Sequence, residues 1–173
     1  MEHLKAKIRQ VPDFPKPGIL YYDITTLLRD PVGLREVLDG LTEPFRDQQI
    51  DLVVGIESRG FILGAAVADR LRAGFVPVRK PGKLPAGTIQ QSYDLEYGSD
   101  ALEIHQDAIE QGQRVLIVDD LLATGGTARA ALDLVRKTGG EIAGMAFLVE
   151  LQFLGGRARL GDVPLFVALR YTS

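Results

Sequence analysis

Short apolar runs alternate with amphipathic stretches along most of this chain. Residues 52–56, LVVGI, form a continuous β-branched run too short for a helix, and FILGAAVADRL behind it carries apolar residues at helical spacing from Phe61 to Leu71. GFVPVR, from Gly74 to Arg79, is the next strand. RVLIVDD, from Arg114 to Asp120, is the strongest strand pattern in the sequence. After it TARAALDLVRKTGG predicts a helix, with Thr127 as its cap, Lys137 in the last turn and Gly139-Gly140 as its stop. GMAFLVEL and PLFVALR supply two further strand runs. Two regions break the rhythm. The first 35 residues, with FPKPG at 14–18, predict an irregular lobe, and 84–105 is polar and turn-rich with weak alternation, as in a long hairpin or mobile loop.

Strand–helix–strand, repeated, predicts an open and mostly parallel α/β sheet flanked by helices. Such sheets bind ligands beyond the carboxyl ends of their strands. That directs attention to the segments after Ile56, Arg79 and Asp120. No repeat, low-complexity tract or linker divides the chain, so residues 1–173 are expected to form one domain with an N-terminal flap.

Composition narrows the class. At 173 residues, 46% hydrophobic and 25% charged, the chain has ordinary globular usage, which excludes disorder and coiled coil. No apolar stretch reaches the ~18 residues of a membrane helix. The start, MEHLKAKIRQ, lacks a secretory apolar core, so a cytoplasmic location is expected. With no Cys, disulfides and thiolate chemistry are excluded. A net charge of −3 lacks the basic excess of a nucleic-acid binder.

The segment VLIVDDLLATGGT gathers the residues best suited to chemistry. Asp119 and Asp120 end a buried strand, where paired carboxylates are costly unless a cation or hydroxyls meet them. Gly125 and Gly126 permit backbone angles that side chains forbid, between the hydroxyls of Thr124 and Thr127. Free amides at a helix start make a cradle for a phosphate dianion. The same residues also suit a plain capped βα turn.

This segment resembles the phosphoribosyl-pyrophosphate (PRPP) motif of the type I phosphoribosyltransferases. The resemblance implies that Asp119 and Asp120 meet the ribose hydroxyls. It also implies that Ala123, Thr124, Gly125, Gly126 and Thr127 cradle the 5′-phosphate.

GIESRG, at 55–60, begins like a Walker A motif, but Phe61 stands where Lys is required and the NTPase reading fails. No G-x-G-x-x-G occurs, which demotes a dinucleotide enzyme. On its residues alone Arg59 is either a surface cation beside a tight turn or an anion ligand. Glu57, on the same loop, has no assigned role. The resemblance implies a pyrophosphate loop here, through Ser58, Arg59 and Gly60, since SRGF recurs in the family's adenine-using branch. It extends the pyrophosphate site to Arg79, Lys80 and Lys83 of RKPGK, which otherwise form a solvated charged turn. Cations at a strand's end suit a leaving group whose negative charge grows as its bond breaks.

SYDLEYG, at 92–98, is similar to the SxxLEYG lid of the adenine-using branch. The resemblance makes Glu96 the acid/base for the purine and Tyr97 a lid residue that excludes water. His105 is expected to be structural. DFPKPGILYYDI resembles the hood that holds the base, with main-chain groups near Leu20 and Tyr22 reading the N6 and N1 edge and Tyr21 stacked on the ring. Tyr21-Tyr22-Asp23 stands where the family usually has Phe-Arg-Asp, so a guanidinium is missing from the hood.

The resemblance runs from about Asp13 to Leu151 through four motifs in order. It implies a Mg2+-dependent pentosyltransferase of purine salvage that converts adenine and PRPP to AMP and pyrophosphate. The Mg2+ travels on the substrate. Homodimers are usual in the family, and neither nucleic acid nor membrane is an expected partner. An enzyme for a 6-oxopurine or orotate shares the PRPP motif, but the hood and LEYG segments argue against it. A PRPP-binding regulator needs a DNA-binding module, and no helix-turn-helix pattern is evident. Locally the charge is uneven: from Arg70 to Tyr93 there are five bases (Arg70, Arg72, Arg79, Lys80, Lys83) and no acid.

Overall fold

Residues 1–95 and 98–173 are described by the computed structural model. The chain opens with a 3-10 turn at Glu2–Lys7 and a small antiparallel hairpin, β1 (Arg9–Pro12) and β2 (Leu20–Asp23). Two helices follow, α1 (Thr25–Leu28) and α2 (Pro31–Thr42). The α/β core then runs β3 (Leu52–Ile56), α3 (Arg59–Leu71) and β4 (Gly74–Val78). A second hairpin, β5 (Thr88–Leu95) and β6 (Gly98–His105), interrupts it. The core resumes with β7 (Arg114–Leu122), α4 (Gly126–Lys137), β8 (Glu141–Leu151) and β9 (Leu165–Tyr171).

Five strands form one sheet in the order β4-β3-β7-β8-β9, and all its pairings are parallel. A parallel sheet needs both faces covered, which is why its strands are continuously apolar. Alternate side chains serve the two faces. Val53, Leu116 and Val118 join α2 and α3 in one core, which includes Val37, Leu41, Leu63 and Val67. Val54, Val115 and Ile117 join α4 in the other, with Leu132, Val135 and the hairpin residues Leu102 and Ile104. The chain leaves β3 toward one edge and returns beyond it at β7. The carboxyl ends of β3 and β7 therefore flank the topological switch point, where open α/β sheets form their crevice.

Two local expectations are corrected. Thr127 does not cap α4: the cap position is Gly125, at φ 83°, with no side-chain cap. A β-branched residue does not adopt that conformation readily, and Gly does. The first 35 residues are not irregular but hold the β1–β2 hairpin, α1 and the start of α2, which Asp30 caps by accepting from the Gly33 N–H at 3.2 Å. Their strands are short and have no fully buried position, so they carry little apolar alternation. Of the two forms expected for 84–105, the structure contains the hairpin, with Thr88 facing His105 and Leu95 facing Gly98. His105, at the start of this pairing, accepts from the Ala86 N–H at 3.4 Å. No helix among the described residues is long and apolar enough to cross a membrane.

Candidate active site

The loops after β3 and β7 meet across the switch point, around a cleft of about 410 Å³. Asp119 and Asp120 lie on its floor, 7% and 8% exposed, near the carboxyl end of the nine-residue β7, whose other positions are apolar apart from Arg114. Helix α3 starts directly against them. A Cβ on Gly60 would lie 2.6 Å from Asp119 Oδ1, so only glycine lets the helix approach this closely. The Asp120 N–H donates to Asp119 Oδ1 at 2.9 Å, which turns the first carboxylate inward. Burial, followed by the adjacent Asp120 charge, pushes the Asp119 carboxyl well above the ordinary carboxylate range. Asp120 meets a cation instead: Arg59 Nε donates to its Oδ2 at 2.5 Å.

Ala123, Thr124, Gly125, Gly126 and Thr127 wrap the same cleft and lead into α4. Gly125 is buried with positive φ, and the first amides of α4 have no carbonyl four residues back to bond, so they face an anion site at the helix's positive end. Ser58 and Arg59 line the opposite side, with Lys80. The Glu57–Ser58 peptide bond between β3 and α3 is cis.

The three cations of RKPGK separate in space. Lys80 lines the cleft, where its Nζ donates to Tyr93 Oη at 3.0 Å and contacts Asp100, both on the β5–β6 hairpin. Arg79 turns aside, with its guanidinium 5.8 Å from the centre of the Phe61 ring and its Nε 3.5 Å from Glu57. Lys83 is exposed and does not line the cleft. Glu57, unassigned from sequence, ties the two loops together: its Oε1 accepts from the Lys80 N–H at 2.6 Å. Glu103 is a second tie, accepting from the Gly82 N–H at 3.2 Å. Sequence reasoning missed Glu103, Tyr93 and Asp100; the available signal was the run of polar residues in a hairpin with half-buried positions.

A second cavity, of about 210 Å³, opens beside the first between the hood and β8. Leu20, Tyr21 and Tyr22 line it, and it shares Arg59, Asp120, Leu121 and Ala123 with the main cleft. Among the described residues β2 pairs only with β1, and the main-chain edge it turns away from β1 has no sheet partner there. Tyr21 is held edge-on to Phe14, with ring centres 5.1 Å apart. Tyr22 stacks on Tyr171 of β9 with ring centres at 4.0 Å. Glu96 and Tyr97 lie outside the described residues.

Among the described residues no group of three or more His, Asp or Glu gathers as a metal cluster. The cleft carboxylates Asp119 and Asp120 do fit a Mg2+ that arrives on polyphosphate, since such an ion takes only one or two protein carboxylates.

A five-stranded parallel sheet with an acid pair and a glycine anion loop at its switch point is the arrangement of a phosphoribosyltransferase, and the phosphoribosyl transferase domain family matches residues 24–162. The chain is 62% identical over 170 residues to the adenine phosphoribosyltransferase of Koribacter versatilis, covering 98% of this chain and 93% of the relative. It is 64% identical over 172 residues to that of Acidobacterium capsulatum, covering 99% and 95%. The crystal structure of the Rhodothermus marinus adenine phosphoribosyltransferase superposes with a TM-score of 0.94 at 58% identity, over 98% of this chain and 97% of that one. The Saccharomyces cerevisiae enzyme, complexed with adenine and an imino-altritol bisphosphate, gives 0.91 at 44% identity, over 96% and 97%. The chain belongs to the phosphoribosyltransferase family, within its adenine phosphoribosyltransferase branch.

Proposed function

We propose that this protein transfers the 5-phosphoribosyl group from Mg2+-bound PRPP to adenine, giving AMP and pyrophosphate in purine salvage. The observation that carries the reading is the meeting of Asp119-Asp120 with the loop from Ala123 to Thr127 around one cleft. In this reading the α4 amides and the hydroxyls of Thr124 and Thr127 hold the 5′-phosphate. Asp119 and Asp120 meet the ribose diol, and Ser58, Arg59, Gly60 and Lys80 face the pyrophosphate. Arg79 and Lys83 add positive potential from outside the cleft wall. Adenine takes the apolar cavity under the hood, with the unpaired edge of β2 near Leu20 and Tyr22 reading its N1 and N6 and Tyr21 against its ring.

The reaction breaks the C1′–O bond to pyrophosphate and forms a bond from C1′ to the purine nitrogen, whose proton is lost. Positive charge builds on the ribose while negative charge builds on the leaving group. Carboxylates on one side and Arg59 and Lys80 on the other match that separation. Glu96 is assigned the purine proton and Tyr97 the exclusion of water. Mg2+ supplies charge neutralisation on the polyphosphate and enters as part of the substrate. The protein works as one domain, in a homodimer and in the cytoplasm.

The test is pyrophosphate release from PRPP with adenine, hypoxanthine, guanine, xanthine and orotate in parallel. Adenine alone should support rapid turnover. Replacing Asp119 and Asp120 together by Asn should reduce that turnover sharply in a protein with unchanged circular dichroism. Turnover with hypoxanthine or guanine and none with adenine rejects the base assignment; full activity of the double variant rejects the site.

A further inference from the structure

The anion loop does not support itself. Behind it lies the segment Gly156–Leu160, a 3-10 turn between β8 and β9 that comes about thirty residues later in the chain. Its first residue touches the loop backbone to backbone. A Cβ on Gly156 would lie 2.2 Å from Ala123 O and 2.8 Å from the Gly125 nitrogen. In the reverse direction, a Cβ on Gly125 would lie 2.4 Å from Gly156 O. Neither strand of this contact has room for a side chain, so the position of Gly156 limits where the Ala123–Gly125 amides can sit.

What holds Gly156 is an ion pair outside the cleft. Glu150, near the end of β8, is only 3% exposed. It accepts from Arg157 Nε at 3.0 Å and from Arg157 Nη2 at 2.8 Å, a bidentate fork on the residue after Gly156. Arg170, its register partner on β9, stands 3.6 Å away. On the other side Glu150 is paired in register with Leu122, the last residue of β7 before the loop. Glu150 therefore joins, through its backbone, the strand that launches the loop and, through its carboxylate, the segment that backs it. Arg129 of α4 adds a second tie by donating from Nη1 to Arg159 O at 3.2 Å, and buried Leu160 closes the segment onto the core.

We infer that the Glu150–Arg157 pair positions the phosphate-holding loop, acting on PRPP through Gly156 without touching substrate. The inference rests on the assignment of Ala123–Thr127 as the phosphate site. Planar bidentate pairing is needed for it, because a single point contact leaves the turn free to rotate about one bond. The backbone amides of the cradle have no side-chain flexibility with which to compensate a displaced loop. The consequence should fall on the phosphorylated substrate and not on the base, whose proposed cavity is lined by Val149 and Leu151, which alternate with Glu150 on β8 and so lie on the opposite face of the sheet.

The experiment is steady-state kinetics on Arg157→Gln and Arg157→Lys, with PRPP and adenine varied separately and Tm recorded for each. Displacement of a binding group by even ~1 Å can cost about a hundredfold, so Arg157→Gln is expected to raise KM for PRPP about ten- to hundredfold. KM for adenine should stay within about twofold, and Arg157→Lys should recover only part of the loss, as the fork is not rebuilt. A lowered Tm with an unchanged KM for PRPP in both variants overturns the positioning role. So does a KM for adenine that rises in parallel. If Arg157→Gln fails to fold, Arg157→Lys alone decides by the same split. Thr127→Val is the control for the underlying assignment: if it leaves KM for PRPP unchanged, the loop is not the phosphate site. If it raises KM for PRPP while the Arg157 variants do not, the site stands and only the positioning role falls.

Discussion

Arg59 and Asp120 are 61 residues apart in sequence, and a 2.5 Å hydrogen bond joins them across the cleft floor. It makes one unit of two loops that the resemblance assigns to opposite ends of PRPP. Asp120 is nearly buried and therefore requires a partner, while the Arg59 side chain is 38% exposed and can turn toward an incoming anion. Substrate that brings hydroxyls to Asp120 and phosphate to Arg59 replaces one charge-assisted contact by two.

Arg59→Gln removes the cation from both partners. Hydrogen bonds to charged groups contribute ~1.5–3 kcal/mol, and each ~1.4 kcal/mol is tenfold in rate or affinity. The expected outcome is a fall of about ten- to hundredfold in kcat/KM for PRPP, read from initial rates of AMP formation. A value equal to wild type removes Arg59 from the anion site.

Asp119→Asn should stabilise the ligand-free protein while impairing turnover. The folded-state carboxyl titrates well above its ordinary 3.8 because of burial and the neighbouring Asp120 charge. A raised folded pKa stabilises the fold below the unfolded value and loses that contribution as pH rises. The wild type is therefore penalised at neutral pH and the variant is not. Scanning calorimetry should show a Tm gap in favour of Asp119→Asn that opens as pH rises above 3.8 and widens until the folded carboxyl itself ionises. Each ~1 kcal/mol corresponds to about 2–4 °C in a chain of this size.

Gly125→Ala combines two faults. The residue sits at φ 83°, and the added methyl would meet Gly156 O at 2.4 Å. The left-handed conformation alone costs ~1–2 kcal/mol with a Cβ, and the collision moves the loop as well. We expect a Tm lower by about 4 °C or more together with weakened PRPP binding by titration. Wild-type affinity in this variant contradicts the crowding described here.

Tyr22 tests how the hood is anchored without the family's usual Arg. Its ring stacks on Tyr171, and its hydroxyl donates to Ser173 O at 3.3 Å. Aromatic pairs contribute ~0.5–1.5 kcal/mol beyond their buried area. Tyr22→Phe should keep the stack and near-normal kinetics, whereas Tyr22→Ala should raise KM for adenine several-fold. Equal KM values in the two variants show that the stack does not order the hood.

Much of this organisation was legible locally. The buried run before Asp119 specifies a parallel strand because both of its faces are apolar, and the change to helical spacing after Gly126 follows from residues within one turn of each other. The β1–β2 hairpin escaped because four-residue strands with exposed positions leave almost no period to detect. The cap of α4 was misassigned to Thr127 because a hydroxyl signals a cap more loudly than a glycine at positive φ. The RKPGK cations looked equivalent in sequence, yet one faces the cleft, one packs by an aromatic ring and one is exposed.

The sequence by itself determined the strands and helices of the α/β core, the acid pair near a strand's carboxyl end and the glycines of the anion loop, since each depends on neighbours within a few residues. Only the tertiary structure decided which charges meet: Arg59 with Asp120, Lys80 with Asp100, and Arg157 with Glu150. It also decided that Gly156 backs the loop at Gly125. Those pairings depend on strand order and on the close approach of separate loops, and no periodicity along the chain encodes either.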